Sequence, residues 1–243
     1  MKTHTPSRLR RFTAARFSPE GAAGLHLTIG IAILVLTAWL FGIIAGQVAD
    51  EGPLTLFDLE LARDLHARAT PRVTQLMLAF THWNSIAGVL VMSTILGYAL
   101  LRHRMDYWLL ALIATVPGGM AVNVLMKLTF ARARPQFEHP LVTLETFSFP
   151  SGHASSATLF YGFLACLLVT RVASTARRLL VVVAAALMVA AVCFSRIYLG
   201  AHYLTDVLAG VAEGLAWLAV CMTTVSSLRR RREARGLSFW RRN

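Results

Sequence analysis

The stretch Ser195-Arg196-Ile197-Tyr198-Leu199-Gly200-Ala201-His202-Tyr203-Leu204-Thr205-Asp206 lies between two long apolar runs. Asp206 follows His202 by four residues, so a helix beginning at His202 sets carboxylate and imidazole one turn apart on one face. A carboxylate there accepts one ring N–H, fixes the tautomer and leaves the other nitrogen free to attack. Arg196, six residues before His202, offers a planar fork of donors suited to phosphate oxygens. An oriented imidazole beside an arginine suggests phosphoryl transfer, although the same His–Asp spacing also serves as a plain structural pair.

A second stretch, Pro150-Ser151-Gly152-His153, reads as a helix start. Ser151 is a good N-cap, and Gly152 lets backbone approach a ligand closely. Free N–H groups and the macrodipole at a helix start favour an anion. His153 in the first turn is placed to give a proton to a departing oxygen. Two further cations, Lys127 and Arg134, complete the set of residues with chemical potential.

The elements that must position these residues are membrane helices. The chain of 243 residues is 56% hydrophobic, too apolar for an ordinary soluble domain. Apolar runs cover about 25–48, 86–101, 107–128, 153–170, 179–195 and 203–225, most of them near the ~20 residues that cross a bilayer. Continuous runs of this kind exclude a spanning barrel, whose strands alternate. The fold class is therefore all-α, an integral membrane bundle of six transmembrane helices. Residues 1–24 form a basic cytoplasmic segment, 25–225 the helical domain and 226–243 a basic tail. The first run is long for a signal peptide and no small-x-small site follows, so it is read as a retained helix. Residues 49–85 are mixed: Thr70-Pro71 opens a short interfacial helix, with Thr70 as a capping hydroxyl, and Asn84-Ser85 ends it. Cys166, Cys193 and Cys221 fall inside apolar runs and read as small buried hydrophobes.

Charge sets the orientation. Most of the 24 Lys and Arg fall in the N-terminal segment, residues 102–106, residues 171–178 and the tail. Basic segments stay cytoplasmic, so both termini are inside and the ends of helices carrying Lys127, Arg134, His153, Arg196 and His202 face outward. The net charge of +12 then reflects topology and contact with anionic membrane lipids, not nucleic-acid binding. Glu138 and Glu145 are the acids of the nearby outer loop, too few for the cations there, and a bound phosphate would restore the balance.

Lys127-x6-Arg134-Pro135, then Pro150-Ser151-Gly152-His153, then Ser195-Arg196-x5-His202-x3-Asp206 resemble, in order and spacing, the three motifs of the type 2 phosphatidic acid phosphatase superfamily. That superfamily also includes vanadium haloperoxidases and glucose-6-phosphatases. The resemblance implies a PAP2/haloperoxidase-like core and assigns roles. His202 would be the nucleophile that forms a phosphohistidine, Asp206 its orienting partner and His153 the general acid. Lys127, Arg134 and Arg196 would hold phosphoryl oxygens, helped by Ser151 and the Gly152 amide. It implies no metal and no cofactor. The substrate implied is a lipid phosphate, namely phosphatidic acid, phosphatidylglycerol phosphate or undecaprenyl diphosphate, hydrolysed on the outer face of an inner (plasma) membrane. A lipid phosphotransferase using the same pocket and a non-enzymatic lipid transporter are the alternative readings. Outside the motifs, Glu213 either lines a headgroup cavity or bonds a neighbouring helix, and Asn123 either orients Lys127 or packs between helices. Arg132 has no assigned role, and His82, His103 and His139 are read as surface residues.

Overall fold

The computed structural model describes residues 25–234, and all regular structure among them is helical. The helices are α1 (Leu25–Ala49), α2 (Pro53–Ala67), α3 (Pro71–Trp83), α4 (Ile86–Arg102), α5 (Asp106–Phe130), α6 (Gly152–Val169), α7 (Thr175–Tyr198) and α8 (Leu204–Ala234). Five of them, α1, α5, α6, α7 and α8, are long and apolar enough to cross a bilayer. Helix α4 passes the same test only together with α3, from which it is bent by 45°. Six spans result when that bent pair counts as one. The break falls at Asn84 and Ser85, as the sequence indicates. The Asn84 amide donates back to the Phe80 carbonyl, Tyr161 donates to its oxygen, and Ser85 Oγ caps α4 by accepting from the Gly88 N–H.

Helix α6 is the axis of the bundle, packed against α5, α7 and α8, while α1 runs along α8. The core around Val116, Leu159, Phe163 and Leu218 is buried, whereas Val35, Trp39, Leu180 and Leu187 are exposed on α1 and α7. That inversion is expected where the surrounding solvent is hydrocarbon. Helices α6 and α8 approach closely at Gly210, where an added Cβ would stand 2.5 Å from the Ser151 carbonyl oxygen and 3.2 Å from Ala154 Cβ. Glycine there brings the second turn of α8 against the start of α6, a small-residue contact of the kind that packs membrane helices.

Three details differ from the sequence reading. Residues 53–67, read as part of a mixed segment, form a helix started by Gly52-Pro53. Thr70 stands at the N-cap of α3, yet its hydroxyl does not cap; its backbone N–H donates instead to Tyr198 Oη at 3.0 Å. Helix α8 starts at Leu204 and extends to Ala234, so Arg229–Arg232 lie on its last turns. The basic N-terminal segment 1–24 and residues 235–243 of the tail lie outside the described residues.

Candidate active site

Four helix ends meet at one end of the bundle, and each motif sits on one of them. Helix α5 carries Lys127 in its last turn and stops where Ala131 turns left-handed, at φ 44°. The chain then crosses in a loop over residues 131–151 and enters α6 at Gly152, with Ser151 as the N-cap whose Oγ accepts from the Ala154 N–H. Helix α7 ends at Tyr198 with Arg196 in its last turn. Gly200, at φ 64°, reverses the chain in a conformation that favours glycine. His202 follows, and α8 begins two residues later. The backbone N–H of Ser151 donates to the Asp206 carbonyl at 2.9 Å, tying the starts of α6 and α8 together.

His202 precedes the helix instead of opening it, so its approach to Asp206 depends on the turn. Nδ1 lies 3.4 Å from Asp206 Oδ2, and Ser148 Oγ is 3.5 Å from the same nitrogen. Asp206 Oδ2 also accepts from the Tyr203 N–H at 2.9 Å, a capping contact at the start of α8, and from Ser148 Oγ. Both side chains are buried. On the other edge of the ring, Nε2 is 3.3 Å from Arg134 Nη1. With the proton on Nδ1, the Nε2 lone pair faces the cations. Burial pushes the imidazole pKa from 6.5 down to about 4, opposed by Asp206 and reinforced by Arg134 and Arg196. The ring is thus neutral at neutral pH, the state a nucleophile requires.

Among the described residues, the three motif cations are held by neutral acceptors. Lys127 Nζ donates to the Phe147 carbonyl at 2.7 Å. Arg134 donates to the carbonyls of Thr146 at 2.6 Å, Ala201 at 2.5 Å and Phe147 at 3.1 Å. Arg196 donates through Nη1 to Thr81 Oγ1 at 2.8 Å, and its buried Nε has no partner. Among the described residues, no carboxylate comes within ion-pair distance of any of the three. His153, at the first turn of α6, lies within electrostatic reach of Arg196, His202, Arg134 and Lys127. A Cβ on Gly152 would stand 3.7 Å from Lys127 Cε, so the α6 start and Lys127 adjoin. A cleft of about 430 Å³, lined by the 132–147 loop with Gly200 and Ala201, opens beside Arg134.

The remaining polar residues also find places. Glu213 Oε2 accepts from Asn123 Nδ2 at 2.8 Å, so both join neighbouring helices. His82, His103 and His139 are exposed. Glu138 and Glu145 are exposed too, and the acids that do enter the site are Asp206 and Asp58. Asp58, on the unexpected helix α2, and Arg132 are the residues that motif reasoning missed. Arg132 bridges Asp58 Oδ2 at 3.0 Å and Asp206 Oδ1 at 2.7 Å, stacked 4.3 Å over the Tyr203 ring. A signal is present: Leu54, Phe57, Leu61 and Leu65 recur at helical spacing behind a proline, and Asp58 falls beside Phe57 and Leu61 on that apolar stripe.

These features define a class, a membrane-embedded helical bundle with two histidines among uncompensated cations at one end. Comparison with known proteins narrows it. The PAP2 superfamily model matches residues 106–230. The chain is 30% identical over 179 residues to phosphatidylglycerophosphatase B of Bacillus subtilis, covering 67% of this chain and 88% of that protein. It is 33% identical over 132 residues to decaprenylphosphoryl-5-phosphoribose phosphatase of Mycobacterium tuberculosis, covering 52% and 66%. The crystal structure of a transmembrane PAP2-type phosphatidylglycerolphosphate phosphatase from Bacillus subtilis superposes with a TM-score of 0.71 at 25% identity, over 86% of this chain and 98% of that one. Aquifex aeolicus LpxE shares the fold, with a TM-score of 0.54 at 23% identity over 68% and 93%. The chain belongs to the PAP2 superfamily.

Proposed function

We propose that this protein hydrolyses the phosphate of a membrane lipid through a phosphohistidine on His202. The observation that carries the reading is the ring of His202: one nitrogen is directed at Asp206, the other at Arg134, among cations that no carboxylate neutralises. Nε2 attacks phosphorus, the phosphorus–oxygen bond to the leaving group breaks, and His153 gives that oxygen a proton. The Nδ1 proton stays on the ring, held by Asp206. Water then attacks the phosphohistidine, gives a proton to His153, and the phosphorus–nitrogen bond breaks to release inorganic phosphate. Lys127, Arg134 and Arg196 stabilise the charge on the transferring oxygens, with Ser151 and the Gly152 amide at the helix start assisting. Side chains supply the positive charge, so turnover persists in chelator.

In this reading both termini lie in the cytoplasm, which the excess of Lys and Arg in the sequence favours, and the four converging helix ends face outward. A site at that level lets a lipid keep its tails in the bilayer while its phosphate enters. The Bacillus relative points to phosphatidylglycerol phosphate as first choice, ahead of phosphatidic acid and undecaprenyl diphosphate. One panel tests the reading: lipid phosphates and diphosphates offered to purified protein in chelator, with short-chain analogues offered to intact cells. Phosphate release without an added acceptor, including by intact cells, is the expected result. Release only with an acceptor, only with metal, or only after lysis overturns the corresponding part.

A further inference from the structure

We propose that Asp58 is a positioning residue for the His202 nucleophile, acting through Arg132 on Asp206, and that α2 is therefore part of the catalytic unit. The proposal rests on the phosphohistidine reading above. Asp58 is 1% exposed, on a short helix that contributes no motif residue. Its carboxylate accepts from the Thr205 N–H at 3.0 Å, from Thr205 Oγ1, and from Arg132 Nη2 at 3.0 Å. Arg132 Nη1 in turn donates to Asp206 Oδ1 at 2.7 Å and to Thr205 Oγ1 at 2.8 Å. One guanidinium thus spans two buried carboxylates, and the acid of α2 grips the first turn of α8 directly.

The arrangement has an electrostatic consequence. Arg132 alone would cancel the charge of Asp206, leaving nothing to balance the positive charge that the imidazole gains when Nε2 bonds to phosphorus. With Asp58 present, two carboxylates face one guanidinium, and the trio keeps a net negative charge beside the ring. The other charged groups around His202 work the opposite way: Arg134 from the loop and Arg196 from α7 are cations, and His153 on α6 lies within reach of the same two. Charge compensation in a buried site is worth far more than at the surface. Asp58 also fixes which way Arg132 points, hence which Asp206 oxygen remains for His202.

Asp58→Asn keeps the shape and removes the charge. The expected result is a kcat lower by about 10- to 100-fold, within the range of coupling between groups of one hydrogen-bond and salt-bridge network, with KM little changed. In a histidine-labelled full chain, the NMR titration of the His202 ring moves to lower pH in the same variant. In an Arg132→Gln background, Asp58→Asn changes kcat less than about threefold, because the two act as one unit. A native kcat at matched amounts of folded protein, an unmoved His202 titration, or an equal loss in both backgrounds overturns the proposal. If the asparagine variant does not fold, Arg132→Lys, which keeps the charge but cannot span both acids, lowers kcat about tenfold; native turnover there overturns it equally. The titration needs no turnover, so a failure of the phosphohistidine reading, seen as activity in His202→Ala, is told apart from a failure of this one.

Discussion

Two kinds of cation stand within the same site. Arg132 lies between two carboxylates, Asp58 and Asp206, in a satisfied network. Lys127, Arg134 and Arg196 are held by carbonyl and hydroxyl oxygens, and among the described residues no carboxylate is near enough to pair with them. The difference separates holding a site together from leaving it ready for an anion. A paired buried cation has spent its charge within the fold. An unpaired one has its orientation fixed by neutral acceptors while its field stays directed at whatever anion enters. Preorganised charge of this second kind is what stabilises a transferring phosphoryl group, because nothing need reorganise at the moment of reaction.

Substitutions on the two sides should therefore fail differently. Arg196→Ala is expected to lower kcat/KM about 100- to 1,000-fold, the cost of removing one fixed donor from a transition-state site. Its thermal stability should change by about 1 kcal/mol or less, since no partner charge is abandoned. Arg132→Ala strands two buried carboxylates and should destabilise the protein by about 3–5 kcal/mol. Thermal melts beside steady-state rates on both variants decide the matter; equal destabilisation would erase the distinction. A finer test concerns pH. Because burial depresses the His202 pKa to about 4, the ring refuses a proton that the unfolded chain accepts below about 6.5. Its contribution to stability is full above pH 6.5 and is lost as pH falls towards 4. A ring-resolved NMR titration in the free protein should find that midpoint near 4, and a value near 6.5 would mean the ring is solvated.

The sequence was most informative where chemistry and membrane physics leave few choices. The apolar runs, the break at Asn84-Ser85 and the Ser151 cap were legible because each is a local signal. The convergence of Lys127, Arg134, His153, Arg196 and His202 on one end followed from counting helix directions. Helix α2 is not legible in the sequence, because Glu60, Arg63 and Asp64 interrupt its apolar pattern and it is too short to span. Arg132 could not be given a role for a related reason: its partners lie far away in sequence, at positions 58 and 206, and no spacing rule joins them. Helix α8 starts two residues later than the His–Asp spacing predicts because Gly200 and Ala201 reverse the chain ahead of His202, a tertiary turn packed against Phe137.

The central claim is that Lys127, Arg134 and Arg196 gather a phosphate for the Nε2 edge of His202. It is tested most directly by quenching the enzyme during turnover of a lipid carrying labelled phosphate. The account predicts a protein-bound label that survives base and is lost in acid, as a phosphoramidate is, and predicts neither label nor phosphate release from His202→Ala, although that variant inserts normally. Undiminished phosphate release by His202→Ala, or native turnover with no trapped label on any histidine, would contradict it.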